Sequence, residues 1–212
     1  MATERVGWIE ISVVSGLIVL VESGMMLADR WVADVAPMIV LAVGRILEII
    51  LIFMVFRTVQ GDAPAIGLRG GEFVSGLLRG IFWAGGFGLG VVAVGVLMAL
   101  AGYAPLNMIH SRLPGDGGSL VRLFLVGGLI GPVAEEFLFR GALFGFLRQW
   151  GAPVAVIGST VCFVVLHPGF GSIQAIGGLL FAVSYEVEKS LWVPIVLHTT
   201  GNTALFALSL LG

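Results

Sequence analysis

Long apolar stretches alternate with short polar ones along this chain, and the length of the apolar stretches sets the first expectation. Trp8–Leu27, Val35–Val59, Phe73–Ala101, Leu120–Trp150, Ala152–Leu166, Ser172–Val187 and Leu191–Leu211 each read as one helical segment. Crossing about 30 Å of hydrocarbon takes roughly 20 predominantly apolar residues. Between the segments lie polar, Gly- and Pro-rich loops: "ADRWVAD" at 28–34, "RTVQGDAPAIGLRGGE" at 57–72 and "GYAPLNMIHSRLPGDGG" at 102–118. The third and fourth segments exceed what a bilayer needs, which predicts tilting or a break, in the third at "GGFGLG", 85–90. The pattern predicts an all-α, polytopic transmembrane helical bundle of seven spans, or eight if the third or fourth segment splits. With no repeat and no linker, residues 1–212 read as a single integral membrane domain.

Composition sharpens this without changing it. The chain is 58% hydrophobic and 11% charged, against roughly 25% charged in a soluble domain. Its 32 glycines are scattered through the apolar runs, where small residues let membrane helices approach closely. No basic cluster points to nucleic acid, and the single cysteine, Cys162, excludes an intrachain disulfide. The first apolar run continues past Glu22 without a small-residue cleavage site, so it is expected to be a retained anchor. Arginine far outnumbers lysine, a bias of GC-rich coding and hence of a prokaryotic source. Arg5, Arg57, Arg69, Arg79, Arg148 and Lys189 fall on one side of the predicted bundle, and Arg30, Arg112 and Arg122 on the other. The larger set marks the cytoplasmic side and puts the N-terminus there.

Against this background a few polar residues stand out. A charged side chain at membrane depth costs about 2.5–3.5 kcal/mol on insertion scales, yet "GPVAEEFLFRGALFG" (131–145) holds Glu135, Glu136 and Arg140. Glu136 and Arg140 are four residues apart, the spacing of a same-face ion pair. Glu135 is turned about 100° away from Glu136 and is left free for chemistry. A purely structural network locking helices together fits these three residues equally well. "CFVVLHPGF" (162–170) stacks Phe163 on His167 at the same spacing, at a helix end. "VPIVLHTTGNTALF" (193–206) puts His198 and Asn202 on one face inside an apolar run. Arg45 and Glu48, three apart in the second segment, can neutralise each other or reach into the bundle. Two glutamates, an arginine, two histidines and an asparagine on three separate spans fit one shared polar cavity able to do acid–base chemistry.

Glu135-Glu136-x-x-x-Arg140, then Phe163-x-x-x-His167, then His198-x-x-x-Asn202, in this order on successive helices, resembles the CAAX protease and bacteriocin-processing family. These are intramembrane proteases related to the Rce1-type prenyl-protein endopeptidase, and the resemblance covers about residues 120–211. It implies a glutamate-type endopeptidase acting near the C-terminus of membrane-associated, lipidated or sorting-tail substrates. Glu135 is then the general base, His167 shares the attacking water, His198 and Asn202 donate to the oxyanion, and Glu136 with Arg140 holds the helix. No cofactor is expected. The alternative is a zinc ion on Glu135, His167 and His198, the donor types of some zinc peptidases, with Glu136 as base. A transporter, or a catalytically silent scaffold or immunity protein, are the competing readings of the same cluster. The expected partners are the bilayer and a membrane-associated protein or peptide substrate, and the expected location is the prokaryotic cytoplasmic membrane. Along straight spans the depths of Glu135, His167 and His198 disagree unless a helix is broken or the Pro168-Gly169 turn dips into the bilayer. The site is expected to open to the non-cytoplasmic side.

Overall fold

The structure, a computed structural model, describes residues 6–31, 37–60, 66–68, 70–105, 111, 113–167 and 171–210. Among these residues every regular element is helical: α1 Trp8–Trp31, α2 Pro37–Gln60, α3 Phe73–Leu100, α4 Gly117–Trp150, α5 Ala152–Leu166, α6 Ser172–Glu188 and α7 Trp192–Leu208. The boundaries follow local chemistry. Pro37 and Pro153 sit in first turns, where a missing N–H costs no hydrogen bond. The Asp116 carboxylate caps α4 by accepting from the Ser119 amide at 2.8 Å. Those bonds from Ser119 hold this exposed carboxyl below the usual carboxylate range. Gly151, at φ 108°, turns α4 sharply into α5, a conformation side chains rarely adopt.

α4 is the centre of the bundle, packed against α2, α5, α6 and α7, while α1 pairs with α2, α5 with α6, and α3 with α7. One end collects Trp8, Gln60, Phe73, Trp150 and Trp192. Trp8 packs edge-on against Phe146, and Phe73 against Trp192, both at 4.7 Å between ring centroids. At the same end the Leu191 amide donates to the Gly67 carbonyl, Arg148 pairs with Glu186, and Arg79 pairs with Glu188. Arg79, Arg148 and Lys189 therefore share one end, as the sequence grouping has it. Arg5, Arg69 and Arg112 lie outside the described residues.

The expected count of seven or eight crossings is corrected. Among the described residues four helices, α1 to α4, are long and apolar enough to cross a bilayer, and Ala152–Leu166 is a shorter apolar helix. Neither long segment splits: α3 runs 28 residues straight through its glycines, and the whole of Gly117–Trp150 is 34 residues of unbroken helix. The reason is length. At 1.5 Å per residue, helices of 15 to 17 residues reach only about 22–26 Å, short of the roughly 30 Å hydrocarbon layer.

Candidate active site

α4 is not a uniform helix. Two stretches, Val126–Ile130 and Phe137–Leu143, wind as π turns and bracket the α segment Gly131–Glu136. Such turns are rare and gather at functional sites. The bracketed segment ends in the two glutamates, and Arg140 lies in the second π turn.

Glu136 and Arg140 pair, as their i, i+4 spacing predicts. Arg140 Nη1 donates to Glu136 Oε1 at 3.1 Å, with both side chains fully buried. Arg140 Nη2 donates to the carbonyl of Gly178 on α6 at 2.9 Å. Its guanidinium lies 4.9, 5.4 and 5.8 Å from the ring centres of Phe163, Phe181 and Phe139. This aromatic cage offers a buried cation electrostatic compensation where water cannot. Glu136 Oε1 also accepts from His198 Nδ1, at 2.8 Å.

Glu135 points elsewhere. Its Oε2 lies 3.3 Å from His167 Nε2 and 3.7 Å from His198 Nε2, and it keeps about a fifth of its side chain exposed, as does His167. Three helices thus deliver one carboxylate oxygen and two imidazole nitrogens to a single point. Hydrogen bonding fixes how the rings are used. His167 Nδ1 contacts the Phe163 carbonyl at 2.7 Å, and a carbonyl only accepts, so Nδ1 carries a proton. The neutral ring then turns its Nε2 lone pair towards Glu135, so a direct contact requires one further proton on either partner. The same holds for His198, whose Nδ1 faces the Glu136 carboxylate. The site is therefore built to hold and pass a proton between Oε2 and the two Nε2 atoms.

The rings are held from behind. Phe163 lies 4.1 Å from the His167 ring, tilted by 36°, and Phe181 stacks on His198 at 4.4 Å and 21°. Asn202 stands one turn beyond His198 on α7, and its Nδ2 donates to the Gly127 carbonyl at 2.9 Å. The structure thus gathers Glu135, His167 and His198 at one point, puts Glu136 and Arg140 directly behind, and ties Asn202 to the α4 backbone.

The depths of Glu135 and His167 agree in the structure. Glu135 lies fifteen residues before the end of α4 at Trp150, and His167 fifteen residues after the start of α5 at Ala152. α5 simply stops beside the carboxylate, about 22 Å from their shared end. Pro168 and Gly169 lie outside the described residues.

Sequence reading missed Phe181 and the Gly178 carbonyl. A glycine and an aromatic three apart on α6 share a face, the signal that was available, but the segment carries no charge at that level. A Cβ at Gly178 would stand 3.1 Å from Phe163, so the glycine allows α6 to close on the cage. The first two helices also do more than wall the site. Arg45 Nη1 bridges Glu48 on its own helix at 2.6 Å and Glu22 on α1 at 3.0 Å, and its charge acts on Glu135. A separate open depression of about 350 Å³, lined by Phe82, Trp83, Gly86, Phe87 and Leu180, is apolar and lies between α3 and α6.

Fold and site together define a helical membrane bundle with one buried Glu, His and Arg cluster, and comparison with known proteins gives relatives of that kind. Residues 117–204 match the family of type II CAAX prenyl endopeptidases, Rce1-like. The part of the chain that carries the motifs is thus similar to that family. Among similar proteins, YdiL of Bacillus subtilis, provisionally named a membrane peptidase, is 27% identical over 73% of this chain and 65% of its own length. The membrane-embedded CAAX protease MroQ of Staphylococcus aureus is 32% identical over 35% of this chain and 34% of its own. The chain thus spans less than two thirds of either relative. No solved structure matches it.

Proposed function

We propose that this protein is an intramembrane endopeptidase that cleaves near the C-terminus of membrane-associated, lipidated or sorting-tail proteins by glutamate-activated water. The observation that carries the reading is the convergence of Glu135 Oε2 with His167 Nε2 and His198 Nε2 at 3.3 and 3.7 Å. Water held between Glu135 and His167 gives its proton to that pair as its oxygen adds to the scissile carbonyl. The pair then returns a proton to the leaving amine as the C–N bond breaks. His198, charged by the proton on Nε2 while Nδ1 stays on Glu136, donates to the developing oxyanion, a type of contact worth about 2.7–4 kcal/mol. Glu136 and Arg140 hold the imidazole and the helix.

The zinc alternative would use the same three residues. The proposal is for the metal-free reaction, in which Glu135 activates the water; zinc content and sensitivity to chelator separate the two. Short loops leave little room for soluble recognition, so the substrate reaches the site from the bilayer or its surface. The positive-inside rule places the N-terminus in the cytoplasm of a prokaryotic cell, with the site opening on the side of residues 102–118.

The test compares chain ends by proteomics in membranes carrying the wild-type protein or its Glu135→Gln variant. New C-termini present only with the wild type support the protease reading. Identical chain ends, together with ion or solute flux in liposomes, would instead favour the transporter; identical ends without flux would favour the silent scaffold.

A further inference from the structure

Asn202 makes its hydrogen bond away from the reacting atoms, on a backbone carbonyl inside the first π turn, Val126–Ile130. A π turn holds one residue more than an α turn and disturbs the regular i to i−4 ladder. The carbonyl of Gly127, half-buried in this turn, takes the Asn202 amide as a donor. The turn also sets rotation, because one additional residue turns everything beyond it by about 100° relative to what precedes. Directly beyond lies Gly131–Glu136, which ends in the two glutamates. α7 therefore grips α4 at two places: His198 on Glu136 at 2.8 Å, and Asn202 on Gly127 at 2.9 Å. The facing surfaces leave little slack. A Cβ at Gly128 would stand 3.1 Å from Thr203 Oγ1, and one at Gly127 would stand 3.2 Å from the Phe206 ring.

We propose that Asn202 is a positioning residue: by holding the Gly127 carbonyl it fixes the π turn, and the turn fixes the rotation at which Glu135 and Glu136 meet the histidines. The inference rests on the role proposed above for Glu135, and it differs from that proposal's starting expectation, in which Asn202 donates directly to the oxyanion. A direct donor leaves the resting site undisturbed when removed. A positioning residue does not.

The substitution is Asn202→Leu, similar in size and without a donor. The chain has 3 histidines, His110, His167 and His198, so ¹⁵N-histidine protein in micelles gives few ring signals, assigned with single His→Asn variants. Asn202→Leu is expected to move the His198 Nδ1 signal by several ppm, as Glu136 leaves it, while His110 stays in place. Amide exchange across 126–136 should rise about tenfold, with α5 and α6 unchanged. On a substrate found from the chain-end comparison, turnover should fall about tenfold or more with KM little changed. The first two measurements need no substrate, so they decide the inference even if the protease reading fails. An unmoved His198 signal with unchanged exchange overturns the proposal whatever turnover does. A moved signal with full turnover overturns it too. If Asn202→Leu does not fold, Gly128→Ala presses the same turn against Thr203 with Asn202 in place. The same His198 shift is then expected, and an unmoved signal overturns the proposal.

Discussion

Replacing Arg140 by methionine removes the cation on which the buried half of the site depends. In the wild type it bonds Glu136 Oε1 at 3.1 Å and the Gly178 carbonyl at 2.9 Å, and no part of it is exposed. Removing one partner of a buried ion pair costs about 3–5 kcal/mol, because the other charge is left without compensation. Orphaning a buried carbonyl adds about 1–3 kcal/mol. Methionine fills part of the aromatic cage and returns a little of this. The expected loss is about 4–6 kcal/mol, which for a chain of this size lowers the melting temperature by roughly 10–20 °C. The assay is thermal unfolding in detergent with a thiol-reactive fluorophore, since Cys162 is the one cysteine and is half-buried in the fold. The decisive comparison is Glu136→Gln with Arg140→Met together. Arg140 Nε and Glu136 Oε2 already lack partners, so the pair is imperfect, and removing both charges should recover more than half of the loss. A melting curve for Arg140→Met superimposable on wild type would refute this reasoning, and so would a double variant whose loss equals the sum of the singles.

Glu135→Gln, at a partly exposed position, should leave the melting temperature within about 2 °C of wild type and lower turnover by about 10²–10⁴, the contribution typical of a general base; near-normal turnover removes Glu135 from that role. Phe181→Ala takes away the ring stacked on His198 and a side chain only 8% exposed, so it should cost about 3–5 kcal/mol in the same unfolding assay. At Gly80 an alanine Cβ would meet Val196 Cβ at 2.6 Å, and Gly80→Ala should therefore cost about 1–3 kcal/mol by prising α3 from α7, visible as faster exchange in α3. Purified protein should carry no stoichiometric zinc and keep its activity in chelator, whereas one zinc per chain lost together with activity would restore the metal alternative. Cysteines placed in the 57–72 loop should resist impermeant reagents in intact cells while those in 102–118 react; the reverse pattern inverts the topology.

The site was legible from sequence because charge is so expensive at membrane depth that each instance there is informative. Spacing then did the rest: Glu136 with Arg140, Phe163 with His167 and the rotation of Glu135 away from Glu136 follow from helical geometry alone. The π turns were not legible. One additional residue in a stretch such as "VGGLI" leaves the apolar pattern intact, because every neighbouring position is apolar too. Phe181 and the Gly178 carbonyl escaped for a related reason, since their contribution depends on which way α6 faces, and an all-apolar helix carries no stripe to say so. The excess in crossings came from treating every apolar run as a span. Hydropathy marks what tolerates lipid, and length decides what reaches through it.

α5, α6 and α7 are 15, 17 and 17 residues long, and they stand side by side around the glutamate. Helices this short would draw the headgroups and solvent of a surrounding bilayer towards the place where α5 stops, beside Glu135. On the proposed function each bond cleaved consumes one water in a layer that contains almost none. The short helices would then bring the surface of the membrane down to the carboxylate that needs that water.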